Sequence, residues 1–302
     1  METMSALAAL ARRVSDGEAL TEADARLVLE SHDLIAIGMM ADEVRRRLHG
    51  VRTTFLRVYE IHVDAPPVAL PPGVQAGEYR IVGQPSSIDA AVAAVHAAAR
   101  LGGPHVRGFS LADLVRLGAP DVFAALRQAG LHAIAEVPID LTGDADAVGK
   151  ARAAGLTVDR LTVQAGADRS SLEIVTAAAA LQRRAGGFRA FAPLARGGSI
   201  AAPTTGYDDV KRVALARLAA GIDTIQVDWA LYGPKLAQVA LTVGADDVDG
   251  VAAVEPGLLG TRRSAIEEIR GNIRAAGLEP VERNGRFELL GRRRSGSRVA
   301  SQ

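Results

Sequence analysis

Apolar residues recur at helical spacing through the first fifty positions. Leu7, Leu10 and Val14 share one face, and Thr21 followed three residues later by Asp24 has the form of a capping box. A second amphipathic run starts at Asp33 and passes through Ile37, Met40 and Val44 to Leu48. Three short helices are therefore expected within residues 5–49. After Gly50 the pattern changes to short β-rich runs separated by Ala-rich helical stretches, and this alternation continues almost to residue 278. Strands are predicted at 54–63, 79–83, 106–110, 133–139, 161–164, 189–194, 224–229 and 248–254. Helices are predicted at 87–101, 121–129, 145–154, 171–185, 208–220 and 235–243. Gly102, Gly130, Gly155, Gly186, Gly221 and Gly244 follow the last apolar residue of these helices, as left-handed C-caps do.

Repeated β-then-α units favour a parallel sheet, and eight of them favour a closed (β/α)8, TIM-like barrel. The expected organisation is an N-terminal helical extension (1–50), a barrel domain (51–290) and a disordered tail (291–302). One unit is irregular. Between the first two strands, residues 65–78 contain four prolines and cannot form an ordinary crossover helix. The outer face of those strands then needs another cover: the N-terminal helices, Val68 and Leu70 of the loop itself, or a partner chain.

Composition narrows the chemistry. The chain has 302 residues, with 35 basic and 35 acidic side chains, and no Lys/Arg run is interleaved with aromatics, so a nucleic-acid binder relying on a basic field is excluded. No stretch approaches 18 uninterrupted apolar residues and the N-terminus lacks a basic region before its apolar positions, so a cytoplasmic, non-membrane chain is expected. The cysteine count is zero, which removes disulfides, thiol nucleophiles, thiolate zinc sites and Cys-ligated iron–sulfur clusters. All six histidines lie at or before position 132, leaving the second half without imidazole.

Several local phrases occur in a telling order: Val14-Ser-Asp-Gly-Glu-Ala-Leu20, Asp33-Leu-Ile-Ala-Ile-Gly38 with Ala41-Asp-Glu-Val-Arg45, and Gly186-Gly-Phe-Arg-Ala-Phe-Ala-Pro-Leu194. Towards the end come Tyr232-Gly-Pro-Lys-Leu-Ala-Gln238, Gly244-Ala-Asp-Asp-Val-Asp-Gly250 and Ala276-Gly-Leu-Glu-Pro-Val-Glu-Arg283. Together these span about residues 12–290, and the chain resembles the radical S-adenosylmethionine (SAM) enzymes of menaquinone biosynthesis: aminofutalosine synthase, then dehypoxanthine futalosine cyclase and the deazaflavin synthase subunits. In that family a C-x-x-x-C-x-x-C loop after the first strand holds a 4Fe–4S cluster that cleaves SAM to a radical. Here the Pro-rich segment stands in its place, so the resemblance implies a barrel without an iron–sulfur cluster and without radical SAM activity. The family's glycine-rich SAM turn is thinned too, Ile81-Val-Gly-Gln84 having Gln84 in place of its second glycine, which weakens the case for SAM binding.

Barrel ligands meet side chains at the C-terminal ends of strands. The expected substrate-binding rim is His62, Asp64, Gln84, Glu136, Asp140, Gln164, Arg196 and Asp228, with Ser110 and Glu255 nearby. His62 and Asp64 share a strand face as metal pairs do, but later histidines are missing and no metal site is expected. Glu136 and Asp140 flank Pro138 as a possible acid–base pair. Arg196-Gly-Gly-Ser199 reads as an ordinary βα loop or an anion cradle, and Trp229 as outer-layer packing or a stacking platform. Gly143-Asp-Ala-Asp-Ala-Val-Gly-Lys150 fails as a P-loop, having five intervening residues and Ala151 where Ser or Thr is needed. Asp246-Asp247-Val-Asp249 is expected as a helix-to-strand turn. Three functions remain open: a pseudoenzyme that binds a cysteine-containing radical SAM enzyme of the same pathway or a small-molecule ligand; a repurposed non-radical enzyme acting on an enolpyruvyl, nucleoside or aromatic carboxylate metabolite; and a relic.

Overall fold

The computed structural model describes residues 2–165, 169–197, 206–254 and 266–290, with side chains from residue 5 onward. Three helices come first: α1 (Glu2–Ser15), α2 (Glu22–Glu30) and α3 (Leu34–His49). The capping box forms, with the Thr21 hydroxyl accepting from the Asp24 N–H at 3.2 Å and the Asp24 carboxylate accepting from the Thr21 N–H at 2.8 Å. Asp33 caps α3 by accepting from the Ala36 N–H at 2.9 Å.

The barrel follows in chain order as β1 (Arg52–His62), β2 (Glu78–Val82), α4 (Ile88–Arg100), β3 (Val106–Ser110), α5 (Leu111–Arg116), α6 (Val122–Ala129), β4 (Ala133–Pro138), α7 (Ala145–Ala153) and β5 (Arg160–Val163). It continues with α8 (Ser171–Ala185), β6 (Ala190–Ala195), α9 (Gly206–Ala219), β7 (Thr224–Asp228), α10 (Trp229–Thr242), β8 (Asp247–Ala252), α11 (Ile266–Ala275) and β9 (Glu279–Arg283). Strands β1 to β8 are joined in sequence by parallel pairs, and β1 pairs with both β2 and β8, so the sheet closes as an eight-stranded (β/α)8 barrel. All six expected capping glycines have positive φ. Ser87, Asp144 and Ser170 cap α4, α7 and α8, and the Asp144 cap occupies the stretch that fails as a P-loop.

No helix joins β1 to β2, as the prolines dictate. The segment instead crosses β1 on the outside: the Gln75 N–H donates to the Ala253 carbonyl beyond β8, and the Gly77 N–H donates to the Arg57 carbonyl on the opposite edge. Leu70, Val74 and Ala76 pack against the core while Val68 is fully exposed. The N-terminal helices pack mainly elsewhere, α3 on α9 and α2 on α8 and α9, and the loop shares the cover with α4 beside β2 and with α11, whose Arg270 lies over the Phe55 ring.

Three elements were not expected from the sequence: α5, α11 and β9. Strand β1 is long, and β2 covers only Val58 to His62 of one edge. Strand β9 fills the rest of that edge, pairing Arg52 with Glu279 through Leu56 with Arg283. Helix α10 also starts six residues early, because the Asp228 carboxylate accepts from the Leu231 N–H at 3.1 Å; the helix kinks at Gly233 before Pro234. Among the described residues no helix is long and apolar enough to cross a membrane. Residues 291–302, Glu255 and the Gly198–Ser199 part of the Arg196 loop lie outside the described residues.

A polar barrel interior and an arginine-lined mouth

With helices packed outside, the alternate residues of each strand must face into the barrel. In this chain many of them are charged. At the N-terminal end Arg283 holds Asp247 through two bonds of 2.6 and 2.7 Å, and Asp247 also accepts from Thr54 and from Gln226 (2.8 Å). Glu78 divides its oxygens between Arg80 (2.6 Å) and Arg107 (3.1 Å), and Arg107 reaches on to Asp159 at 2.8 Å. Halfway up, Asp249 takes Arg80 at 2.9 Å and Arg160 at 2.7 Å. Nearer the mouth, Arg196 lies 3.3 Å from Glu136 and 3.2 Å from Asp228.

Asp246-Asp247-Val-Asp249 is thus not a turn. Asp247 opens β8, and Asp247 and Asp249 point inward, two residues apart; Asp246 points the other way, to Arg217 and the Ile225 N–H. Buried charges persist only when paired. Burial would raise the Asp249 carboxyl, but Arg160 and Arg80 hold it well below its usual range. Burial likewise works against Arg196, and Asp228 with Glu136 more than offsets it. Arg160 goes the other way: burial pushes it down to about 10, only Asp249 countering strongly while Arg80 and Arg196 add repulsion.

At the C-terminal ends of the strands a cavity of about 350 Å³ opens above this network. Gln84, Glu136, Gln164 and Arg196 of the expected rim line it, as does Ser110. The other four do not. His62 and Asp64 are exposed where the chain leaves β1 for the Pro-rich segment. Asp140 accepts the Gln164 and Ala165 N–H groups, both at 2.8 Å, which fastens the end of β5. Asp228 is buried beneath, on Arg196. Sequence reasoning missed Arg80, Arg160, Phe109 and Asp113, which also line the cavity, with Ile81, Leu141 and Leu231 among its apolar residues. Phe109 has φ +60°, a conformation costly for an aromatic side chain and common where a site constrains the backbone. Trp229 is buried at the head of α10 and does not line the cavity, so it packs rather than stacks.

The chain is thus of the class of closed parallel (β/α)8 barrels, here with polar groups converging at the C-terminal mouth. No family model matches the chain. Over 111 residues it is 35% identical to the 5-amino-6-(D-ribitylamino)uracil–L-tyrosine 4-hydroxyphenyl transferase of Methanocaldococcus jannaschii, a match covering 33% of this chain and 30% of that protein. Over 133 residues it is 34% identical to the aminodeoxyfutalosine synthase of Streptomyces coelicolor, covering 36% and 34%. The matched stretch spans about a third of the length of these curated relatives. Among solved structures, the FeFe-hydrogenase maturase HydG of Carboxydothermus hydrogenoformans superposes with a TM-score of 0.67 at 12% identity, covering 92% of this chain and 80% of that one. Methylornithine synthase (PylB) gives 0.62 at 14%, covering 90% and 97%.

Over about a third of its length the chain is thus similar in sequence to the transferase and the synthase, the solved structures share its barrel fold, and it contains no cysteine. A 4Fe–4S cluster is held chiefly by thiolates. None is present, and among the described residues no group of three His, Asp or Glu is placed to hold a metal. The residues of this chain do not fit the thiolate-held cluster that the resemblance implies.

Proposed function

We propose that the chain is a cluster-less paralog of aminofutalosine synthase that works by binding, as a non-catalytic regulatory partner in menaquinone (futalosine pathway) biosynthesis. One observation carries this reading. The β1–β2 connection, where the resemblance places the cluster, is a helix-free proline segment packed on the barrel wall, while a polar cavity is present at the mouth among the described residues. Loss of the electron source, together with a thinned SAM turn but with a polar cavity at the C-terminal end of the barrel, fits a change from chemistry to binding. Its partner is a cysteine-containing synthase of the same pathway. Mixing the two purified proteins is the test: co-migration on size exclusion, with altered synthase turnover, supports the reading, and separate migration with unaltered turnover overturns it.

A second reading, a repurposed non-radical barrel enzyme, draws on Glu136, a carboxylate on the cavity wall beside Arg196. It requires turnover of an enolpyruvyl, nucleoside or aromatic carboxylate compound that is lost in Glu136→Gln; absence of turnover across such a panel removes it.

A further inference from the structure

The floor of the mouth cavity holds a cation whose donors outnumber its partners. Arg160 is 4% exposed, and its Nη1 is engaged by Asp249 at 2.7 Å. Its Nε and Nη2 have no partner among the described residues. Those two N–H groups form one edge of the guanidinium, the edge that takes both oxygens of a carboxylate in parallel bonds. Buried charged donors left without acceptors are costly, and such a pair on a cavity lining calls for an explanation. A second donor stands close by. Arg196 uses Nε on Glu136 and Nη2 on Asp228, and its Nη1 is also buried without a partner among the described residues. Both arginines line the same cavity.

The surrounding charges limit what fits. Arg80, Arg160 and Arg196 face Asp249, Glu136 and Asp228, Asp113 also lines the cavity and Glu78 shares Arg80, so a ligand with one negative charge can use the free donors while one with two meets more carboxylate repulsion. Burial first, and then the neighbouring Arg80 and Arg196, lower the affinity of Arg160 for its proton, and an anion on its free edge would act against all three. Ile81, Phe109, Leu141 and Leu231 give the cavity an apolar wall.

From this arrangement we infer that the mouth is a monocarboxylate site: the Nε–Nη2 edge of Arg160 receives both carboxylate oxygens, Arg196 Nη1 adds a third donor, and the apolar wall seats the ligand's aromatic or aliphatic body. The inference rests on the reading above that this end of the barrel binds, and it names the ligand class.

The test is calorimetric titration of the full chain with benzoate, benzamide and inorganic phosphate, with the Arg160 Nε–H resonance followed by NMR. Benzoate should bind and shift that resonance, and benzamide should bind at least about tenfold more weakly, since it lacks the charge that pairs with the fork. Arg160→Met should weaken benzoate at least about tenfold without loss of fold, because Asp249 keeps Arg80. Arg196→Met should weaken it less and serves if the first variant does not fold. Equal affinity for benzoate and benzamide, no benzoate binding, tighter phosphate binding, or an unmoved Arg160 resonance overturns the site. Failure of the synthase-mixing experiment with benzoate still bound through Arg160 would remove the regulatory reading and leave the site standing.

Discussion

Arg80 and Asp249 meet in a two-pronged ion pair inside the barrel, Nη1 to Oδ2 at 2.9 Å and Nη2 to Oδ1 at 3.0 Å, although 169 residues separate them. The sheet register makes the pair necessary. Asp228 lies directly beside Asp249 on the neighbouring strand, an arrangement of like charges that is unfavourable by itself. Arg196 neutralises the first carboxylate, and Arg80 with Arg160 the second.

Removing Asp249 is therefore expected to be severe. In Asp249→Asn two buried guanidinium groups lose their shared carboxylate, and breaking a buried pair from one side costs about 3–5 kcal/mol. Arg160→Met should cost far less, because Asp249 retains Arg80. Urea unfolding followed by far-UV circular dichroism separates the two; equal losses would show that Arg160, not Arg80, is the main partner of Asp249.

Gly250 is the hinge of this layer. It has φ +69° within β8, and a Cβ there would sit 2.7 Å from Asp228 Oδ1. Gly250→Ala should cost about 1–3 kcal/mol, from strain and from displacement of the carboxylate that holds Arg196. Gly102→Ala is the matched control, with φ +67° and nothing within 4 Å, and should cost about 1 kcal/mol. Thermal unfolding of both variants gives the difference; equal shifts would mean that the Asp228 contact carries nothing.

The barrel was legible because its repeating unit is local: each β-rich run, Ala-rich helix and capping glycine signals itself within a few residues. Strand β9 was not, since Glu279-Pro-Val-Glu-Arg283 is polar, contains proline and becomes a strand only because β1 offers it a vacant edge. The mouth was half legible. Rim residues follow from strand ends, which located Gln84, Glu136, Gln164 and Arg196, but His62, the last residue of β1, and Asp64 just beyond it are exposed outside the cavity lining, because β1 runs on to the rim of the barrel before the Pro-rich segment begins. The interior network did leave a signal. Glu78 and Arg80, and Asp247 and Asp249, are charged residues two apart on strands sheathed by helices, so their shared face can only be the inside.

Absence of thiolates makes a direct biochemical prediction. Anaerobic incubation with ferrous iron and sulfide, followed by desalting, should leave no iron–sulfur absorbance on the protein, and dithionite with SAM should yield no 5′-deoxyadenosine. Stoichiometric cluster, with reductive cleavage of SAM, would overturn both this expectation and the reading of the chain as a binding protein.

The opposite end of the barrel should make the fold acid-sensitive through His105. Its ring lies 5.0 Å from that of His132, its Nε2 is buried without a partner among the described residues, and Arg107, Glu78 and Arg286 surround it. Burial, then the Arg107 charge, holds the imidazole at about 4, against about 6.5 when unfolded. Between those values the unfolded chain binds more protons than the folded one. The stability this neutral ring contributes is therefore complete above pH 6.5 and is lost as pH falls towards 4, at up to about 1.4 kcal/mol per pH unit. His132 is also lowered, chiefly by burial, and adds in the same direction. Carboxylates titrate mostly below this range, so urea unfolding between pH 6.5 and 5 isolates the histidines. His105→Asn should flatten the pH dependence there while lowering stability at pH 7.5; an unchanged slope would place the acid sensitivity elsewhere.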